Sequence, residues 1–341
     1  MHTQHSHQEL PVSRSRRALL AAAALAALPA VRARAAAATD RLVLAGPPIT
    51  VSFPLIHMVE SGALAEEGVT PKFALWTNPD QMRAWAVEGG ADFIASPTNV
   101  AANLYNRGVP LRLLNVSVWG ILWLVTRNGE AGSLADFRGQ EIAVPFRGDM
   151  PDILFGVLAR AQGLDPQKDF SLRYVTTPFD AVQLLVLRRV SHAVLPEPAV
   201  SMALRKTQSL PVSAVAPKLH RGLDLSAEWG RVLKREPRIP QAGLAALGKA
   251  LGNAALCERV RRQYAASQAW CLENPEACGE LVAKHIRMLT PQAVADALKA
   301  SRDKPMAAAS VRAELEYFFQ RVHEVQPGLI GGKLPAADFY G

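Results

Sequence analysis

The residues best suited to holding a small molecule gather in one short loop, Pro145-Phe146-Arg147-Gly148-Asp149-Met150-Pro151. Arg147 offers a planar fork of donors that fits a carboxylate, sulfonate or phosphate. Phe146 can supply an aromatic wall, and Gly148 the freedom to turn. Asp149, with Asp152 just beyond, pulls the other way, because two acids beside a cation can neutralise it or take up an amine. On these residues alone the sign of the ligand's charge is open. The loop is preceded by Glu141-Ile142-Ala143-Val144, short and apolar enough for a buried strand. It is followed by Asp152 to Gln162, where Ile153, Leu154, Val157 and Leu158 have the spacing of a helix that buries one face. Gly163 and Pro166 stop that helix. A strand, a polar loop and a helix start aim backbone N–H groups and the positive end of a helix dipole at one point.

A second set has the same form. Gly89 to Ala95 reads as a turn and a short strand, and Ser96, Pro97, Thr98 and Asn99 lead into a helix from Val100 to Asn106. Its hydroxyls and amide are either ligand donors or plain helix caps. Phe53, Pro54 and His57 follow the first strand of the chain, with His57 either facing a cleft or packed within a helix. Trp119 and Gly120 separate two strand segments, and Phe53, Trp119 and Phe146 are the candidate apolar walls. Trp76 and Trp85 lie inside elements and are assigned to packing. Glu197, in Pro196-Glu197-Pro198, either lines a cleft or braces a hinge. A charged hydrogen bond contributes ~1.5–3 kcal/mol and a helix terminus roughly 0.3–2 kcal/mol, whereas micromolar binding needs about 8 kcal/mol. Apolar walls and closure must therefore supply the rest.

Strands alternate with helices along most of the chain, which predicts an α/β fold with mostly parallel sheets covered on both faces. Two strand–loop–helix sets, joined through Val116–Arg127 and Pro211–Ala216, predict two lobes with two crossings. Lobe one is expected over 40–126 and again, as C-terminal helices, over 216–341, and lobe two over the inserted 127–215. From about Leu223 onward the pattern reads as helical.

The 341 residues, 49% of them hydrophobic, suffice for sizeable cores. Residues 1–35 read as an export signal. Ser15-Arg16-Arg17-Ala18-Leu19-Leu20 is of the twin-arginine type, a short apolar run follows, and Ala33-Arg34-Ala35 is a small-residue cut site. Removing that segment takes away five arginines and one acid and lowers the net charge from +8 to +4. Such a mildly basic remainder, without a concentrated basic stripe, excludes a nucleic-acid partner. Cys271 and Cys278 either pair across the break at Glu273-Asn274-Pro275 or remain buried thiols. No ligand spacing for zinc is present, and neither a metal nor another cofactor is expected. No nucleophile triad or phosphate loop stands out, because Gly331-Gly332-Lys333 lacks the flanking residues of one.

Four motifs in order resemble a known family. They are Gly89-Gly90-Ala91-Asp92-Phe93 with Ser96-Pro97; Leu134-Ala135-Asp136-Phe137-Arg138-Gly139-Gln140-Glu141-Ile142-Ala143-Val144; Gly163-Leu164-Asp165-Pro166; and His192-Ala193-Val194-Leu195-Pro196-Glu197-Pro198. Together they resemble the periplasmic substrate-binding proteins of ABC importers, in the nitrate/sulfonate/taurine and thiamine-precursor class, over nearly the whole mature chain. Arg189-Val190-Ser191-His192 and the loop 145–151 depart from that pattern. The resemblance implies a type II periplasmic binding protein fold with ligand in the cleft between the lobes. It also implies a monomeric periplasmic protein, cleaved near Ala35, that hands a small anionic or aromatic solute to a membrane permease and its ATPase without chemistry of its own. An enzyme of the same fold acting on a biosynthetic precursor, and a periplasmic sensor, are the alternatives. The expected contacts are Phe53, Pro54, His57, Ser96, Pro97, Thr98, Asn99, Trp119, Gly120, Phe146, Arg147, Gly148, Asp149, Met150 and Glu197.

Overall fold

A computed structural model describes residues 40–65, 69–209, 218–301 and 304–341. The expected export signal and the expected strand at 212–216 lie outside the described residues. The first strands and helices are β1 (Asp40–Gly46), α1 (Phe53–Glu60), β2 (Val69–Leu75), α2 (Pro79–Glu88), β3 (Phe93–Pro97), α3 (Thr98–Asn106), β4 (Leu111–Leu113) and β5 (Asn115–Val116). There follow β6 (Leu122–Thr126), β7 (Glu141–Pro145), α4 (Met150–Ala161), β8 (Ser171–Val175), α5 (Pro178–Val186), β9 (His192–Pro196), α6 (Ala199–Gln208), β10 (His220–Asp224) and α7 (Leu225–Leu233). The chain ends with β11 (Ala242–Leu247), α8 (Ala254–Glu273), α9 (Pro275–His285), α10 (Pro291–Ala300), β12 (Met306–Ala307) and α11 (Arg312–Val325).

Two five-stranded sheets carry the lobes, ordered β2-β1-β3-β11-β4 and β10-β6-β9-β7-β8. Their pairing is mixed, where a mostly parallel arrangement was expected. β1–β3, β7–β8 and β7–β9 are parallel, but β6 and β11, which enter each sheet next to a crossing, run antiparallel to their neighbours. The second sheet also takes in β6 and β10, beyond the 127–215 span expected for that lobe.

The strand β11 corrects the reading of a wholly helical C-terminal third. Ala242-Gly243-Leu244-Ala245-Ala246-Leu247 has the composition of a helix, since alanine and leucine lead the helix scale and no β-branched residue is present. All six residues are nonetheless buried between β3 and β4. Gly243 shows why helix propensity loses. A Cβ there would meet the Asn115 carbonyl oxygen at 1.9 Å, so only glycine lets the strands approach this closely.

Local chemistry sets the helix starts that surround the cleft. Asn78 caps α2 by accepting from the Gln81 N–H, with Pro79 in the first turn. Thr177 and Asp180 form a reciprocal capping box on α5 ahead of Pro178. The long helix α8 breaks at Asn274-Pro275, and across that break Cys271 and Cys278 sit as buried free thiols. The Cys278 thiol and the loss of water both push the Cys271 thiol far above its ordinary range, which leaves it a poor nucleophile. Among the described residues no helix is long and apolar enough to cross a membrane.

His192 begins β9 buried, with Nδ1 2.8 Å from the Thr126 hydroxyl and its ring edge-on to Phe137 at 5.1 Å. Burial holds its pKa below the ordinary 6.5. The unfolded chain therefore takes up the proton first, and stability present above that pH is lost as pH falls through it toward the lower folded value. The urea midpoint should drop between about pH 7 and pH 5, and His192→Gln should remove part of the drop, with half-buried His57, whose pKa is also lowered by loss of water, supplying more. An unchanged pH dependence in the variant contradicts this assignment.

Candidate functional site

The lobes are joined by two segments that pair with each other. Gln241 N–H donates to Val118 O at 3.0 Å, Val118 N–H to Ala242 O at 3.1 Å, and Ile239 N–H to Trp119 O at 2.6 Å. The Gln241 side chain adds a further tie, its Oε1 accepting from the Ile121 N–H at 2.8 Å. The second crossing thus lies just before β11. The crossing expected over Pro211–Ala216 lies outside the described residues.

Between the lobes lies a cavity of about 310 Å³, within the range of small-molecule sites. The first lobe contributes Pro47, Pro48, Ile49 and Val51 after β1, Trp76, Thr77, Pro79 and Met82 around the start of α2, and Ser96 and Pro97 at the end of β3. The second contributes Phe146 to Pro151, less Arg147 and Gly148, and Thr177, Pro178 and Phe179 at the start of α5. Pro196, Ala199, Ile121, Leu122, Gln241, Ala242 and Met288 complete the lining. Many of these positions are carboxyl ends of strands or helix starts, where open α/β sheets bind ligands, while Ile121, Leu122, Gln241 and Ala242 stand at the amino ends of the antiparallel β6 and β11. Phe146 presents its ring from a left-handed backbone, φ 58°, a conformation that costs a non-glycine residue roughly 1–2 kcal/mol. Its N–H donates to Val175 O and its carbonyl accepts from the Asp149 N–H, which hold it there.

Among the described residues of the lining, Asp149 is the one ionisable residue, and it is buried. Arg83, on α2 of the opposite lobe, reaches it with Nη2 2.5 Å from Oδ1 and also contacts Asp80 at 3.3 Å. Loss of water raises the Asp149 pKa, and Arg83 offsets part of that cost. The burial effect prevails because Arg83 itself is only half-buried and shares its charge with solvent. A second tie between the lobes joins Arg205 on α6 to Asp296 on α10, as a two-pronged contact.

Of the expected contacts, Ser96, Pro97, Phe146, Asp149 and Met150 come together around the cavity. The others do not line it. Arg147 is exposed, with its guanidinium 4.9 Å from the centre of the Tyr174 ring, because the left-handed Phe146 turns the loop between them. Gly148 donates its N–H to Asp152. Thr98 donates to the Pro240 carbonyl, and Asn99 is buried beside it in α3. Phe53 and Pro54 are buried at the start of α1, and His57 stacks on Trp270 at 4.1 Å while bonding Ser267. Trp119 donates to Lys304 O under the Arg238 guanidinium, and a Cβ at Gly120 would strike the Ser226 hydroxyl at 1.9 Å. Glu197 is buried, binding Ser201 N–H and Oγ and the Arg221 guanidinium, so it ties α6 to β10.

Several lining residues escaped the sequence. Trp76, assigned to packing, lines the cavity while donating to Ala95 O. Thr77–Pro79 and Thr177–Phe179 carry the strand–loop–helix signal used for 145–151, and reading that signal evenly finds them. For Arg83 and Gln241 no local signal exists, since their roles arise only across the cleft.

Solved structures share this layout. The chain superimposes on an ABC transporter protein from Parabacteroides distasonis with a TM-score of 0.71 at 21% identity, over 88% of this chain and 98% of that one. The chain has the periplasmic binding protein fold. The aliphatic sulphonate binding protein SsuA from Escherichia coli follows with a TM-score of 0.63 at 18% identity, covering 87% of this chain and 93% of that one. For the nitrate-binding protein NrtA from Synechocystis the values are 0.65 and 17%, covering 87% and 83%. No sequence-family profile and no curated protein sequence matches the chain. Among the described residues no cluster of histidine, cysteine or acid could hold a metal ion.

The ion pair across this cleft gives a direct test. Arg83→Ala leaves the Asp149 carboxylate buried without its partner and should cost about 1–3 kcal/mol in urea unfolding at neutral pH. Adding Asp149→Asn should recover most of the loss. Equal losses in the single and double variants contradict a pairing that spans the cleft.

Proposed function

We propose that this chain is the solute-binding component of an ABC importer, which captures a small molecule by closing two lobes and passes it to a membrane permease with its ATPase. The observation that carries this reading is the cavity at the carboxyl ends of both sheets, bridged by the paired crossings Ser117–Ile121 and Ile239–Ala242. We place the lobe limits at those crossings, so that β6 and β10 belong with the second lobe. Phe146, Asp149, Met150, Ser96 and Pro97 are the solute contacts we retain, and Trp76, Phe179 and Gln241 join them. The protein acts as a monomer without cofactor. Residues 1–35 serve as a twin-arginine signal cut near Ala35 and direct the chain to the periplasm, consistent with Ser15-Arg16-Arg17 ahead of a short apolar run.

The sulphonate and nitrate binders among the neighbours support the transport class, and the solute itself is a separate question. A binder and an enzyme of the same fold differ in turnover. In a thermal-shift panel of sulfonates, nitrate, carboxylates, pyrimidines and neutral aromatics, one class should raise stability by about 2.7 kcal/mol at a hundredfold excess over Kd. The bound compound should then be recovered unchanged at one per chain. Catalytic conversion of the compound contradicts the reading.

A further inference from the structure

The wall of the cavity is almost wholly carbon. Trp76, Phe146 and Phe179 supply rings, Met82, Met150 and Met288 supply flexible thioethers, and proline occupies seven of the described lining positions. A proline has no N–H, so the backbone at each of those positions has nothing to donate to a solute. Pro79, Pro97, Pro151 and Pro178 stand at the cap or in the first turn of α2, α3, α4 and α5, which removes a donor from each of those helix starts. At α2 and α5 the N–H groups of Gln81 and Asp180 are already bonded to Asn78 and Thr177. An anion at a helix start needs such donors, and few remain.

The polar residues among the described lining are committed elsewhere. Asp149 is paired with Arg83. The Thr177 hydroxyl accepts from the Asp180 N–H and donates to the Asp180 carboxylate. The Gln241 side-chain oxygen accepts from the Ile121 N–H, while its NH₂ and the Ser96 hydroxyl are enclosed by protein and add no donor to the wall. Thr77 is exposed to solvent. An anionic solute would therefore shed its water and gain no cation, since Arg83 lies outside the lining and is held by Asp149 and Asp80. A cationic solute would meet one carboxylate that already has its partner. A neutral polar solute would give up hydrogen bonds to water with none offered in return. Only an apolar solute loses nothing by entering, and its burial is favourable in proportion to its area.

We propose that the solute is a neutral, predominantly hydrocarbon molecule, held by burial of its apolar surface rather than by charge or hydrogen bonds. This rests on the solute-binding reading and deepens it by naming the class. An apolar cavity of about 150 Å³ accommodates benzene, so one of about 310 Å³ admits a ring bearing a short alkyl chain. The unbranched methionines can adjust to its shape. Met288, 40% exposed, carries the apolar wall out to the protein surface, where such a solute first makes contact.

The test uses the purified protein and two sets of probes on one ring. Toluene, ethylbenzene and propylbenzene form the neutral set, and benzoate, benzenesulfonate and benzylammonium the charged set, with Kd read by calorimetry. Each added methylene in the neutral set should tighten binding about fourfold. Each charged probe should bind at least about tenfold more weakly than ethylbenzene. Phe179→Ala should weaken ethylbenzene about tenfold and Met288→Ser about threefold. The second substitution lies at an exposed position and keeps the test sound if the first disturbs folding. Tighter binding of a charged probe, no gain along the neutral set, ethylbenzene affinity unchanged in both variants, or no saturable binding of any probe overturns the inference on solute class. A charged probe bound at one per chain and recovered unchanged overturns that class alone. Conversion of a bound probe into product would instead overturn the transport reading and leave the solute class standing.

Discussion

The hydrogen bonds between the two crossing segments are the constraint on which the cleft depends. Val118, Trp119 and Ile121 on one crossing are tied to Ile239, Gln241 and Ala242 on the other, and this narrow ribbon joins two separate sheets. In each sheet the parallel strands end toward the same gap and β6 or β11 begins there, so the loops at those strand ends meet around it. Bending confined to so few residues would move whole lobes while leaving their cores intact, as the proposed clamp requires. Gln241 stands at the point where that ribbon touches the cavity.

Around this frame the cleft is kept apolar by specific means. Prolines stand where helix starts would otherwise present donors, and capping side chains occupy several that remain. Asp149, the single acid among the described lining residues, is matched by an arginine from the opposite lobe, so its charge draws the lobes together. The cost of removing that carboxylate from water still shows in its raised pKa. Apolar walls, rather than a charged contact, must then supply most of the binding free energy, in keeping with the small magnitude of any one charge-assisted bond.

Much of this was legible in the sequence, because periodicity and turn chemistry are local. The strand at 141–145, the helix after it and the recurring strand–loop–helix units all follow from spacing and side-chain type. β11 was not legible: Ala242–Leu247 carries helix propensity, and only burial on both faces and the close approach at Gly243 make it a strand. The site divided along the same line. Phe146 and Ser96 follow directly from loop position, whereas Arg147 has the right chemistry but sits over Tyr174 outside the lining. Arg83 and Gln241 act across the gap between lobes, and nothing within a short window of sequence encodes that.

The central claim is that one small molecule is held between the lobes, in contact with both. A crystal structure of the mature protein with its bound solute tests this most directly. The account predicts density in the cavity bounded by Phe146 on one side and by Ser96 and Gln241 on the other. Solute bound on the outer surface of a single lobe, with the cavity filled by water, would contradict it.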